Sequence, residues 1–118
     1  MWNPFWRKPG RSGRMMKIRI LPAARARLLE IWSYTAAQWG EVQADKYLRD
    51  LVSTMERLDR RHMTWKPVRD AELDGVFFLR HAHHFIFFRA FPGGGIGVIS
   101  ILHETMDIPA RLREDTGD

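Results

Sequence analysis

Four of the five histidines stand close to apolar runs, at His81, His83, His84 and His103. Imidazole side chains bind metal ions, and residues i and i+2 of a strand share one face of the sheet. However, the chain has no cysteine, and no carboxylate stands at a ligand spacing from these histidines. His83 and His84 would also face opposite ways on a regular strand. We therefore expect neither a metal site nor a cofactor.

A further group of polar residues follows the last apolar run, where His103 precedes Met106 and Asp107. Two interpretations stay open for this corner. Either His103 and Asp107 fix the end of the chain through hydrogen bonds, or the corner contacts another molecule. The segment Gly93-Gly94-Gly95 is not a phosphate-binding loop, because it stands between two predicted strands and no helix follows it. Spacing alone therefore predicts no catalytic residue.

Arg80 and Arg89 are the charged residues inside otherwise apolar runs. A half-buried guanidinium needs a partner, and two kinds of partner are open. Each arginine pairs either with an acidic side chain of this chain or with an acidic strip of a binding partner, since the guanidinium fork suits carboxylates. The internal candidates are Glu72, Asp74 and Glu104.

The elements that position these residues follow from the apolar periodicity. Residues 17–20 alternate as a short strand. From Ala23 the spacing changes to that of a helix, which Gly40 ends, and a second helix with its apolar face from Ala44 to Leu58 begins at once. A one-residue joint forces an antiparallel helical hairpin. Three β-prone runs follow, at 76–80, 84–91 and 96–102. The order β-α-α-β-β-β predicts an α+β domain in which the hairpin packs on a small, largely antiparallel sheet.

Both faces of the predicted sheet are apolar. In the second run Phe85, Phe87 and Phe91 oppose Ile86, Phe88 and Ala90. In the third run Ile96, Val98 and Leu102 oppose Ile99 and Ile101. One helical hairpin covers one face only, so something else must cover the other. The alternatives are the chain after His103, another copy, or a different protein, because exposed apolar clusters of this size mark interfaces.

Composition and charge divide the chain of 118 residues into an N-terminal segment and one domain. The first 19 residues carry six basic residues and no acidic one, whereas the remainder carries 13 basic and 14 acidic residues. The segment 1–15 contains Pro, Gly, Trp and Phe without periodicity, and we expect it to be disordered. It is interpreted as sequence upstream of the true start, an extension without a role, or an arm that contacts nucleic acid or a membrane. Residues 16–113 are predicted to form the domain and residues 114–118 a disordered tail.

The near-neutral domain argues against specific nucleic-acid binding. No stretch reaches the length of about 20 apolar residues that spans a bilayer. The absence of cysteine is compatible with the cytoplasm.

Three segments carry a resemblance to a known family. They are the helical segment Leu28-Leu29-Glu30-Ile31-Trp32 through Trp39-Gly40-Glu41, the strand His84-Phe85-Ile86-Phe87-Phe88-Arg89, and the ending Leu102-His103-Glu104-Thr105-Met106-Asp107. Together they resemble the RelE/ParE toxin superfamily, and the ending is similar to its ParE branch. The resemblance covers about residues 16–112. It implies the toxin of a bacterial type II toxin–antitoxin pair and a cognate ParD-like antitoxin that wraps the toxin in a hetero-oligomer.

The resemblance leaves two branches open. ParE-type members bind DNA gyrase and are not enzymes, whereas RelE-type members cleave mRNA on the ribosome with basic side chains. By the resemblance, a catalytic arginine of the nuclease branch would fall at Phe85 and a second near Glu104, which favours the gyrase branch. Other branches cleave RNA with histidines, and His81, His84 and His103 keep that alternative open. We expect the antitoxin or target to contact the following residues: Arg80, His84, Phe85, Phe88, Arg89, His103, Met106 and Asp107.

Overall fold

The computed structural model describes residues 17–60 and 64–116, and the predicted segment 1–15 lies outside these residues. The strands are β1 (Ile18–Ile20), β2 (Lys66–Pro67), β3 (Val76–His81), β4 (His84–Ala90) and β5 (Ile96–His103). The helices are α1 (Pro22–Trp39), α2 (Glu41–Glu56) and α3 (Ile108–Thr116), and short 3-10 turns occupy Leu58–Arg60 and Ala71–Leu73.

The five strands form one mixed sheet in the order β1-β5-β4-β3-β2. Strand β1 is parallel to β5, and the other neighbours are antiparallel. The predicted α+β class is confirmed, and the six predicted elements occur in the predicted order as β1, α1, α2, β3, β4 and β5. The sequence did not predict β2, which has two residues and includes a proline, because so short an edge strand has no periodicity to detect.

The helical hairpin is joined by a single residue, as predicted. Pro22 occupies the first turn of α1, where its missing N–H costs no hydrogen bond. Gly40 ends α1 with a positive φ of 95° and directly precedes α2. A side chain is strained at this φ, so glycine permits the sharp reversal between the two helices.

The first face of the sheet packs against this hairpin. Leu28 of α1 and Leu51 and Met55 of α2 are buried against Ile86 and Phe88 of β4. This is the larger of the two apolar cores, and two helices of 18 and 16 residues shelter it.

The second face is covered by the end of the chain itself. Leu112 of α3 and Leu73 of the second 3-10 turn are buried against Phe87 and Leu102. Of the three covers left open by the sequence, the structure therefore shows the first. The disordered tail predicted from residue 114 is wrong for residues 114–116, which form the last turn of α3. These residues are polar and show no apolar periodicity, because the buried contact of α3 with the sheet is made by Leu112.

A β-bulge changes the faces of β5. The register shifts between Phe87 and Phe88 of β4, so that Ile99 is the extra residue on β5. Ile101 consequently joins the hairpin face and Leu102 the α3 face. The strict alternation predicted for these two residues is wrong, because one inserted residue inverts the alternation beyond it.

Candidate partner-binding grooves

An open groove lies between the helical hairpin and the end of the sheet where β4 begins and β5 ends. It has a volume of about 690 Å³, and we call it the large groove. Ile31 of α1 and Ile101 of β5 line it, and Thr105 and Met106 of the β5–α3 loop line it as well. Its other lining residues are Arg27, Glu30, Tyr34, Thr35, Trp39, Gln43, Tyr47, His83, His84 and His103.

Two aromatic side chains of α1 on the lining of the large groove are largely exposed. Tyr34 is 67% and Trp39 is 72% exposed. Both follow Ile31 along α1 at helical spacing, at i+3 and i+8, which places them on the groove side of that helix. Large exposed aromatic side chains beside an apolar cleft are the typical anchors of a protein–protein contact.

A histidine and a tyrosine join the hairpin to the sheet within the large groove. Tyr47 Oη of α2 lies 2.6 Å from His84 Nδ1 of β4, and the two atoms share a hydrogen bond. Burial, with a smaller contribution from His103, lowers the pKa of His84 to about 4. Burial also raises the pKa of Tyr47 to about 12. Both groups are therefore neutral at pH 7, so this part of the groove favours an uncharged or apolar surface.

The corner after β5 is fixed by its own hydrogen bonds. The backbone N–H of Thr105 donates to His103 Nδ1 at 3.1 Å, and the N–H of His103 lies 3.4 Å from Met106 Sδ. The backbone carbonyl of Asp107 accepts the N–H of Arg111 in α3. His103 thus has the hydrogen-bonding role that the sequence left open. Asp107 contributes through its backbone, and its exposed side chain makes no hydrogen bond to the described residues.

Glu104, directly after β5, connects the end of that strand to β3 and to the turn between β3 and β4, beside the large groove. Its carboxylate pairs with the guanidinium of Arg80 and lies 2.7 Å from His83 Nδ1. The hydrogen bond from His83, together with the charge of Arg80, lowers the pKa of Glu104. The internal pair between Arg80 and Glu104 is one of those that the sequence proposed. The guanidinium of Arg80 also lies 5.3 Å from the ring centroid of Phe85.

A smaller groove of about 250 Å³ opens on the α3 side of the sheet. Phe78 and Phe85 line it, and their rings meet edge to face at 5.6 Å. Ile108 and Leu112 of α3 form part of its lining. Beside the small groove, Arg113 Nη2 of α3 lies 2.8 Å from Asp70 Oδ2, and the two side chains form an ion pair. The second face is therefore covered by α3 incompletely.

Apart from Asp107 in the corner described above, the predicted contact residues fall into five places. His84, His103 and Met106 line the large groove, and Phe85 lines the small groove. Arg80 lies between the two grooves and forms an ion pair with Glu104. Phe88 is fully buried, so the prediction that it contacts a partner is wrong and it is a core residue. Arg89 lies at the other end of β4, opposite Val76 and Gly97.

Sequence reasoning missed most of the residues that line the large groove, including the aromatic side chains of Tyr34, Trp39 and Tyr47. The signal available was that Tyr34 and Trp39 stand near the end of α1, where a hairpin extends past the sheet.

The described residues contain no group of three His, Asp or Glu side chains placed to hold a metal ion. None of the helices within ranges 17–60 and 64–116 is long and apolar enough to cross a membrane.

Comparison with known proteins identifies the family in which these grooves occur. Residues 18–108 match the family model of the ParE toxin of the type II toxin–antitoxin system parDE. The chain belongs to this family. Toxin ParE1 of Mycobacterium tuberculosis is 35% identical to it over 93 residues, which cover 79% of this chain and 94% of that protein. The ParE-type resemblance seen in the sequence is therefore confirmed.

Solved structures show the same fold. The chromosomal ParDE system of P. aeruginosa contains a chain that matches with a TM-score of 0.64 and 22% identity, over 77% of this chain and 98% of that chain. The toxin–antitoxin complex RelBE2 of Mycobacterium tuberculosis matches with a TM-score of 0.58 and 20% identity, over 75% and 91% of the two chains. At these identities the likeness concerns the fold, and here it extends to both named branches of the superfamily.

Proposed function

We propose that this ParE-family toxin acts in the bacterial cytoplasm by binding DNA gyrase, without catalysing a reaction itself. A ParD-like antitoxin neutralises it by occupying the large groove. Membership in the ParE family carries the proposal. The arrangement of charges supports it, since the guanidinium of Arg80 near the groove is engaged by Glu104 and is not free to stabilise a phosphorane.

The large groove suits a peptide segment better than a small substrate. It combines an apolar floor, formed by Ile31, Ile101 and Met106, with the exposed rings of Tyr34 and Trp39. An amphipathic helix that buries its apolar side in such a groove gains from these anchors. The solved relatives named above are complexes that contain both toxin and antitoxin, which supports the same type of partner here.

Ribonuclease activity is the second candidate, because three histidines and Tyr47 line the same groove. His84 is neutral at pH 7, and a neutral imidazole can act as a general base toward a ribose hydroxyl. Glu104, however, holds a negative charge next to His83, where it would repel a phosphate.

A two-part assay tests the proposed target. Purified toxin is incubated with gyrase, ATP and plasmid, and in parallel with translating ribosomes and mRNA. We expect linearised or nicked plasmid after detergent and protease treatment, with intact mRNA. The matched control is the Tyr47→Phe/His84→Gln double variant, which removes the candidate acid–base pair. Cleaved mRNA that becomes intact with this variant, together with unaffected plasmid, would contradict the gyrase proposal and establish the nuclease.

The antitoxin part is tested separately by expressing the chain with the small open reading frame beside its gene. We expect a stable complex on size-exclusion chromatography, and lack of association would contradict an antitoxin at this groove.

A further inference from the structure

The end of the sheet at which β1 begins carries basic side chains without acidic partners. Arg19 of β1 and Arg89 of β4 form no ion pair with any carboxylate of residues 17–60 and 64–116. Elsewhere in these ranges several arginines are paired: Arg27 with Asp115, Arg80 with Glu104, Arg111 with Glu114, and Arg113 with Asp70. Arg19 and Arg89 are therefore not occupied by an internal ion pair and are available for a ligand.

The two arginines are neighbours across the sheet. Arg19 and Arg89 are both register partners of Gly97 in β5, one from each side. With adjacent strands about 4.8 Å apart, their Cα atoms are about 10 Å apart, and side chains in register share one face. Two long basic side chains at this separation reach neighbouring phosphates of one nucleic-acid strand.

An aromatic ring lies between the two arginines. A Cβ atom at Gly97 would come within 2.6 Å of Phe91 Cζ, so the ring of Phe91 occupies the space above this glycine. The guanidinium of Arg19 lies 5.9 Å from the centroid of the same ring. Gly97 is thus the residue that admits Phe91 between the two basic side chains.

The segments that carry Arg19, Arg89 and Phe91 contain no acidic residue. No acidic residue occurs in positions 1–29 or 84–103, which together supply β1, β4, β5 and the turn between β4 and β5. Lys17 is hydrogen-bonded through its backbone carbonyl to Ile96, which fixes it beside that turn. Four more basic residues precede it closely in the sequence, namely Arg7, Lys8, Arg11 and Arg14.

We propose that this surface, defined by Lys17, Arg19, Arg89 and Phe91 and called the basic end, binds the phosphate backbone of duplex DNA without reading its sequence. Guanidinium groups match phosphate oxygens in a bidentate way. The ring of Phe91 attracts the Arg19 guanidinium, which keeps this charge beside the surface that a phosphate would approach.

The position of the basic end makes this binding compatible with an occupied large groove. Ile96 starts β5 beside Lys17, whereas His103 ends β5 at the large groove. The seven residue steps between them correspond to about 23 Å of strand. The inference does not depend on gyrase as the target, since it concerns contact with DNA itself.

The test measures binding of the full chain to a fluorescein-labelled 20-base-pair duplex by anisotropy, from about 50 to 200 mM salt, without gyrase present. We expect a dissociation constant in the range of about 10⁻⁴ to 10⁻⁶ M that weakens steeply with salt. The Arg19→Gln/Arg89→Gln variant should lower the slope of log K against log salt by about 2, since two phosphate contacts are lost. A duplex of different sequence should bind equally well.

Two variants separate charge from folding. Arg19→Lys/Arg89→Lys keeps both charges and should keep the salt slope, while Lys46→Gln/Arg49→Gln removes two charges from the exposed side of α2 and should leave the slope unchanged. An equal loss of slope in this α2 variant would overturn the proposal, as would binding by the Arg19→Gln/Arg89→Gln variant that equals the original chain. Tighter binding to poly-glutamate or to phosphatidylserine vesicles than to DNA would also overturn it.

Discussion

The two faces of the sheet are sheltered by different means. On the hairpin face, α1 and α2 supply long apolar stripes, and Phe88 and Ile86 are fully buried beneath them. On the α3 face, a helix of nine residues contributes Leu112. Phe78 and Phe85 stay partly exposed there and line the small groove.

Charged groups compensate for the short cover on the α3 face. Arg27 of α1 reaches Asp115 of α3 at 2.8 Å, and Asp115 also accepts a hydrogen bond from Ser100 at 2.5 Å. The hydrogen bond to Asp115 raises the pKa of Arg27. Strand β1 pairs with β5 only from Ile96 to Val98, so this ion pair closes the edge of β5 where β1 has ended. The two faces therefore differ in what stabilises them. Buried apolar surface holds the helical hairpin against the sheet, whereas specific polar contacts hold α3.

The largest expected effect comes from emptying the hairpin core. Phe88→Ala should lower the free energy of unfolding by about 3–5 kcal/mol, because a fully buried ring leaves a cavity. Phe85→Ala on the α3 face should cost about 1 kcal/mol, since this ring is already partly exposed and flanks the open space of the small groove. Urea denaturation measures both variants. Equal losses would contradict the difference between the two faces.

The next effect tests the ion pair that holds α3. The side chains of Arg27 and Asp115 are only 12% and 9% exposed. Asp115→Ala should therefore cost about 2–3 kcal/mol, because Arg27 and Ser100 both lose a charged hydrogen-bond acceptor. Glu30→Ala is the matched control, as Glu30 pairs with the same arginine but is 61% exposed, and it should cost less than about 0.5 kcal/mol. A control loss as large as that of Asp115→Ala would refute this account of α3.

A pH effect sharpens the comparison on the hairpin side. Burial holds the pKa of His84 at about 4, below its usual value of 6.5. Between these values the unfolded chain binds a proton that the folded chain does not, so stability falls as pH decreases from 6.5 to 4. For a half-buried ring screened by solvent we expect this group to account for about 1–2 kcal/mol. His84→Gln should flatten the pH dependence measured by urea denaturation, and an unchanged slope would count against it.

The smallest effect on stability should come from the exposed rim of the large groove. Trp39 is 72% exposed, so Trp39→Ala should change the free energy of unfolding by less than about 0.5 kcal/mol. If an antitoxin fills the groove, the same change should weaken its binding at least about tenfold, as for an aromatic anchor. Calorimetric titration with the antitoxin measures the affinity.

Val42→Ala is the control for Trp39, because Val42 is 85% exposed and is not among the groove-lining residues. It should leave the affinity unchanged. Unaltered affinity of the Trp39 variant would place the antitoxin outside this part of the groove.

Much of the fold followed from local patterns. Helical spacing and Gly40 predict the helical hairpin, and β-prone runs predict the last three strands. The predicted ends of these strands differ from the observed ends by at most one residue. Short-range signals sufficed because turns, caps and alternation are set by neighbours in sequence. The α3 helix was missed, since its nine residues include a single buried apolar side chain, Leu112.

The candidate site was predicted less completely. His84 and His103 were both predicted as contact residues, and the structure brings them together because they are register partners in β4 and β5. Phe88 was misassigned because alternation tells which residues share a face but not which face is covered more deeply. Trp39 and Tyr47 reach the large groove only through the packing angle of the hairpin, which no local pattern encodes.

The sequence by itself determined the order of elements, the apolar character of both sheet faces and the family. Only the tertiary structure decided that α3 covers the second face, that a bulge at Ile99 exchanges the sides of Ile101 and Leu102, and that Arg19 and Arg89 become neighbours through Gly97. The physical reason is the range of the interactions. Periodicity and turn preferences act over a few residues, whereas strand register, helix docking and the meeting of charges depend on contacts between segments far apart in the chain.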